Sequence, residues 1–403
     1  MFQNVAQLIQ RSAVVVLLLL TLAALAAFAA VNHLVTRYNL NQQARGRRLY
    51  AQGHADMDAG NPALAIEDFR AALTCDRTNP QYQLSLGRAL RDTGRLDEAE
   101  SYLQSLWERT PEDGTINLAL ARVAAKRGNL DEATRYYHNA MYGVWTEDAD
   151  ASRRKARFEF IEFLLQKGAL PQARSELLAL AAFLPPDPAL HLRAAQLLNQ
   201  AQDYPEALTE YEKVLRLDRG NSAALAGAGE AAFQSGHYRT AHDYLQGAVN
   251  ANPQDAASRA LHDSANLILE SDPFLHRISD AERNRRISSD FDKAGQRLAA
   301  CAQQKGVDRT DTKTVGATGL PAVARPGTAT LTAPSPLAQL NSRWLEMKRQ
   351  MPHLCSPGET DLPDAIMDLV FQIEQQTSAE CGEPQGVDQA LLLISRNREV
   401  ADQ

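Results

Sequence analysis

Between residues 46 and 255 the apolar, small and turn-forming positions recur every 34 residues. Counted from Gly46, the markers are a small residue at position eight, a glycine near fifteen, an alanine at twenty, a bulky residue at twenty-four and a further marker at twenty-seven. The first block reads Gly53, Gly60, Ala65, Phe69 and Ala72, and the second Gly87, Gly94, Ala99, Leu103 and Leu106. The third reads Ala121, Gly128, Ala133, Tyr137 and Ala140, and the fourth Ile161, Gly168, Ala173, Leu177 and Leu180. Ala195, Gln202, Ala207, Tyr211 and Val214 mark the fifth, and Gly229, Gly236, Ala241, Leu245 and Ala248 the sixth. Such spacing predicts two antiparallel helices per block, joined at the glycine and packed closely at the small positions. No block can bury its apolar stripe alone, so neighbours must stack.

The blocks span 46–79, 80–113, 114–147, 154–187, 188–221 and 222–255, with 148–153 inserted between the third and fourth. Proline closes three of them at position thirty-two (Pro111, Pro185, Pro253), where the others carry Arg77, Trp145 and Arg219. The insertion and the missing turn glycine at Gln202 predict a local break in superhelical pitch. A further helix over 256–269 reads as a cap.

A different pattern precedes the repeats. After a short tail (1–11), residues 12–31 carry no charge, and the next charged residue is Arg37. At about 1.5 Å per residue this run crosses a hydrocarbon core of roughly 30 Å, which predicts a transmembrane helix over 12–34. A cleaved signal peptide is the competing reading, because Ala27, Phe28 and Ala29 fit a small-x-small cleavage site. Orientation stays open. Arg11 stands before the span and Arg37, Arg45, Arg47 and Arg48 after it, which favours a cytoplasmic body, whereas short N-terminal anchors commonly export the chain beyond them.

The repeat register resembles the tetratricopeptide repeat family, in its bacterial, N-terminally membrane-anchored form, over about half the chain. The resemblance implies an all-α, right-handed solenoid of helical hairpins. It also implies that positions two, five, nine and twelve of each first helix line a peptide-binding groove. Those positions include Arg47, Tyr50 and His54 in the first block, then Arg88 and Arg91, then Arg122 with the adjacent Lys126. Phe158 and Glu162 come next in the fourth block, and Gln196 and Asn199 in the fifth. Four cations along blocks two and three suit a carboxylate or acidic ligand; the bland alternative is a solvated face paired with Asp92, Asp97 or Glu98. The paired asparagines with which some family members hold a C-terminal carboxylate are missing.

Past the cap, residues 278–304 read as a charged amphipathic helix, completing a 256–305 region. Residues 306–336 are rich in Thr, Gly, Pro and Ala and nearly devoid of large apolar side chains, which predicts a linker. The 337–403 region shows helical spacing at 337–351, 363–377 and 387–397, too little for a sturdy independent domain, so docking onto another element is expected. Of four cysteines, Cys75 belongs to the repeat core, while Cys301, Cys355 and Cys381 lie in the C-terminal third. Cys355 and Cys381, flanking the middle helix, are a candidate disulfide if that part faces an oxidising compartment.

Composition narrows the function. A net charge of -7 gives no global attraction to nucleic acid. No phosphate-cradling glycine loop, H-E-x-x-H or G-x-S-x-G stands in the chain, so neither an enzyme, a cofactor, a metal nor a small-molecule substrate is expected. The expectation is a single-pass scaffold of a bacterial inner or cytoplasmic membrane that grips a protein or peptide, with an acidic or C-terminal carboxylate end, and so organises a cell-envelope complex. The alternative is an envelope chaperone or quality-control factor for exported, unfolded proteins.

Overall fold

The computed structural model describes residues 2–306, 335–354 and 361–401. Among these every regular element is helical, and the chain forms two compact units, Met1–Glu176 and Leu177–Gln403. The segment read as a linker lies, but for its ends, outside the described residues, as does Cys355.

The first unit contains α1 (Phe2–Asp58), α2 (Pro62–Cys75), α3 (Pro80–Asp92), α4 (Leu96–Trp107), α5 (Gly114–Arg127), α6 (Leu130–Tyr142), α7 (Ala149–Gln166) and the start of α8 (Leu170–Ala181). α1 is one unbroken helix of 57 residues, about 85 Å long, running from the apolar stretch through the first half of the first repeat. Its apolar part reaches a mean hydropathy of 2.1 and is unburied, and it is the one helix among the described residues long and apolar enough to cross a membrane. The subsequent helices pair into hairpins. Asn79 and Asp113 begin α3 and α5 by accepting hydrogen bonds from Gln81 and Tyr82, and from Thr115 and Ile116, satisfying backbone donors that a helix start leaves free. Ala65 and Ala99 are fully buried where the helices approach, and Phe69, Leu103, Tyr137 and Phe160 fill the core between them.

Two departures from the repeat pattern have local solutions. Residues 149–153 do not form a loop; they extend α7 at its start, with the Asp148 side chain accepting from the Ala151 amide at 3.2 Å. Trp145 replaces the closing proline by lying over Gly114, where a Cβ would come within 2.4 Å of the indole ring, and by donating to the Ala140 carbonyl at 2.9 Å.

The second unit continues with α9 (Pro188–Gln200), α10 (Tyr204–Leu217), α11 (Ser222–Gln234), α12 (Tyr238–Ala251), α13 (Ala256–Ser271) and α14 (Asp280–Gln304). It ends with α15 (Pro336–Gln350), a 3-10 turn at Met351–His353, α16 (Leu362–Cys381) and α17 (Val387–Ala401). Gln202 takes the backbone conformation of the glycines it replaces, with φ 60° against 72–81° at Gly60, Gly94, Gly128, Gly168 and Gly236. The fifth hairpin therefore keeps its turn despite the missing glycine.

Helices α13 to α17 share one core, with Ile287, Phe291 and Leu298 of α14 against Ile366, Val370 and Ile373 of α16 and Leu391 and Ile394 of α17. Phe233 and Tyr238, from the sixth hairpin, are half-buried against it, and Asn397 of α17 donates to the Gly236 carbonyl at 3.2 Å. The C-terminal helices thus pack over the last hairpin. Trp344 of α15 stacks on Phe291, with ring centroids 5.3 Å apart, in the space left by Gly295.

Close packing within this unit makes one glycine far more sensitive than another. A Cβ on Gly227 of α11 would fall 2.2 Å from the buried Tyr211 ring, whereas one on Gly247 of α12 meets only Leu225 at 3.3 Å. Gly227→Ala is expected to destabilise by about 1–3 kcal/mol through overpacking. Gly247→Ala should be neutral or stabilising by up to about 1 kcal/mol through helix propensity. Thermal unfolding of the two variants compares them; equal effects would contradict the packing argument.

Candidate functional site

In the first unit the face carried by α1, α3, α5 and α7 collects most of the residues that the register pointed to. Tyr50 and His54 of α1 stand beside Ser85 of α3, whose hydroxyl donates to the Tyr50 hydroxyl at 3.3 Å and lies 3.2 Å from His54 Nε2. Both rings rest on Phe69, and Tyr50 also on Tyr82, with centroids 4.9–5.8 Å apart, so a packed aromatic floor fixes their positions. Arg47 is exposed on the same helix.

Four cations continue the face, and their partners differ. Arg122 of α5 is committed: its Nε and Nη2 donate to the two carboxylate oxygens of Glu159 on α7, at 2.8 and 2.7 Å. This bidentate pair ties the third hairpin to the fourth and leaves Arg122 no open fork for a ligand. Lys126 donates to the backbone carbonyls of Arg91 and Asp92, at 2.8 and 3.3 Å, and so closes the end of α3. Arg91 donates from Nε to the neighbouring Asp92 at 2.8 Å, while its Nη1 is buried without a partner.

Arg88 is the exception. No carboxylate among the described residues pairs with it, and its Nε is buried with no hydrogen-bond partner. Burial, followed by the nearby charges of Arg122 and Arg91, pushes the Arg88 guanidinium below its ordinary pKa. It nevertheless stays charged at neutral pH, because an arginine begins so far above it. A half-buried cation without a counter-charge is costly, and a negatively charged group brought to this face would relieve that cost.

Two residues expected in the groove lie elsewhere. Phe158 is 1 % exposed and belongs to the core, as does Leu118, so position five faces inward in the third and fourth repeats, whereas Tyr50 at the same position of the first stays on the face. Position six, which the register passed over, supplies Ser85 and Glu159 to the face instead. The signal for Glu159 was present as a carboxylate one hairpin beyond Arg122. Glu162 is half-buried and engaged within the fold.

In the second unit Gln196 is exposed on α9, and Asn199 donates to Glu230 of α11 at 2.8 Å. Beneath them His191 and Glu210, both nearly buried, share a hydrogen bond of 2.6 Å, and Lys213 joins Glu210. The candidate Cys355–Cys381 disulfide is corrected: Cys381 bonds to Cys301, because α14 and α16 pack side by side and bring their last turns together. Near the start of α14, Arg285 and Arg286 both donate to Glu282 at 2.8 Å and pull its carboxyl down to about 2.

Comparison with known proteins agrees with the repeat reading. Tetratricopeptide repeat family profiles match at residues 50–114 and 84–143, and again at 198–264. Similar solved structures include Pseudomonas aeruginosa PilF, 15 % identical with a TM-score of 0.40, over 55 % of this chain and 97 % of that one. The C-terminal part of a TPR repeat-containing protein from Cytophaga hutchinsonii is 15 % identical with a TM-score of 0.43, over 59 % of this chain and 93 % of that one. PilW, described as a widely conserved type IV pilus biogenesis factor, is 16 % identical with a TM-score of 0.40, over 53 % and 96 %. No curated protein matches in sequence.

Proposed function

We propose that this chain, which carries tetratricopeptide repeats, is a non-catalytic scaffold held in a bacterial inner or cytoplasmic membrane by α1, and that it binds a protein partner through an acidic side chain or a C-terminal carboxylate. The observation that carries the reading is Arg88, a half-buried cation with no carboxylate partner among the described residues, beside Arg122 and Lys126, which are bonded within the fold. Arg88 supplies the charge, with Arg91 one turn further along the same helix and the Tyr50 hydroxyl as a further donor. Anchorage rests on the length and apolarity of α1.

The test is photo-crosslinking in membranes from cells making the full chain with Tyr50→p-benzoylphenylalanine, read by mass spectrometry. A scaffold captures one or a few proteins at fixed ratio. Arg88→Glu is expected to reduce that capture by about 10- to 100-fold, the worth of a charge-assisted hydrogen bond, and Arg88→Lys to reduce it less. Unchanged capture in Arg88→Glu would remove the carboxylate reading, and a broad spectrum of unfolded exported chains would favour the envelope chaperone.

A further inference from the structure

The C-terminal helices carry a feature that the repeats do not use. Cys301, in the last turn of α14, and Cys381, the last residue of α16, are joined by a disulfide between positions 80 residues apart, with Cα atoms 5.8 Å from each other. Cys301 is 3 % exposed and packs in the same core as Ile366, Val370 and Ile373. The helix ends are also held together independently of sulfur. Arg297, one turn before Cys301, donates from Nε to Thr377 Oγ1 at 2.8 Å and from Nη2 to the Gly382 carbonyl at 2.9 Å. The two cysteines are therefore placed by the fold, and the bond clasps an arrangement that packing and hydrogen bonding already define.

Neither position looks like a redox catalyst. The cysteines are far apart in sequence, with no C-x-x-C spacing, and Cys301 is shielded from solvent. A buried structural disulfide forms and persists in compartments that oxidise thiols, and is rare where glutathione and thioredoxin keep them reduced. We infer that everything after the apolar segment of α1 lies on the oxidising, exported side of the membrane, and that the Cys301–Cys381 bond is formed there. In that step a Cys301 or Cys381 thiolate attacks the disulfide of a protein thiol oxidant. The second thiolate then displaces the mixed disulfide, so the oxidant gains two electrons and two protons and leaves as a dithiol.

The count of basic residues opposes this orientation, since Arg37, Arg45, Arg47 and Arg48 come after the span and only Arg11 precedes it. The covalent bond outweighs the count. Charge bias is a statistical preference among short loops, whereas a cytosolic structural disulfide has to survive a thiol-reducing pool. The inference holds whether α1 is retained or cleaved, and it does not depend on the ligand of the Arg88 face.

The experiment uses the full chain with Cys75→Ser and Cys355→Ser, so that only the pair remains. Cells are acid-quenched, denatured and treated with a maleimide-polyethylene glycol, with and without prior reduction. The expected result is no mass shift without reductant and a shift of two labels after it. Two labels without reductant would overturn the inference. In parallel, a C-terminal alkaline phosphatase fusion should be active and a green fluorescent protein fusion dark. A fluorescent fusion with an inactive phosphatase would equally overturn it.

Discussion

Adding alkali between about pH 5 and pH 9 is expected to loosen the C-terminal helices while leaving the first three hairpins intact. The cause is Glu374 of α16, which is fully buried and has neither carboxylate oxygen hydrogen-bonded. Burial first, and then the nearby Asp388, raise its carboxyl to about 8. Arg297 stands 3.2 Å away and pulls in the opposite direction, but its guanidinium hydrogens point to Thr377 and Gly382, so the contact does not offset burial. Asp290 of α14, 2 % exposed with one oxygen unpartnered, is raised to about 7, mainly by burial.

Both groups have folded values above their unfolded ones, so between those values the folded state binds more protons. Their contribution is complete below the unfolded carboxylate range and is lost as pH rises through about 7 and then about 8. For Glu374 the loss is on the order of 3 kcal/mol, since each pKa unit corresponds to about 1.4 kcal/mol and partial relaxation trims the sum. Hydrogen exchange of α16 peptides at pH 5 and pH 9, corrected for intrinsic rates, reads it directly. Glu374→Gln, which keeps the shape without the ionisation, should flatten the dependence. Equal corrected protection at both values in the unmodified chain would refute the account.

Phe69→Ala is expected to unfold the first hairpin at a loss of about 3–5 kcal/mol, the usual range for removing a buried phenylalanine. The ring is 1 % exposed and lies beneath Gly53, where a Cβ would approach it to 2.6 Å. It also supports Tyr50 and His54. In a stacked array such damage stays near its origin, so proteolysis should open residues 46–79 before α5 and α6. A double-mutant cycle sharpens the prediction. Gly53→Ala alone should destabilise by about 1–3 kcal/mol through its clash. In the Phe69→Ala background the clash is gone, and the same change should gain up to about 1 kcal/mol of helix propensity. Additive effects would show that the two positions do not meet.

Much of this fold could be read from the sequence because its packing is local and periodic. Ala65, Ala99 and Phe69 sit where a period of 34 places them, and each is buried. The face was harder to read. Arg88 and Arg122 occupy equivalent register positions, yet one is unpaired and the other is forked onto Glu159. That difference arises from the next block along, which carries Glu159 at position six where the third carries Ala119, and no single block contains it. Phe158 failed for a related reason: a helix position at the edge of the apolar stripe turns inward or outward according to its neighbour. The Cys301–Cys381 pairing depends on how α14 and α16 dock, which spacing along the chain does not encode.

The continuity of α1 bears on how the first unit can sit at a lipid surface. A flexible tether would let the repeats swivel freely, but an unbroken helix couples the roll of its apolar half to the azimuth of its repeat half. Each residue inserted between Val31 and Gly46 would turn the Tyr50–Arg88 face by about 100° around the helix axis and lift it by about 1.5 Å. Partner engagement should therefore vary with the phase of such insertions, failing at about two added residues and returning near four and again near seven, as the face comes round again.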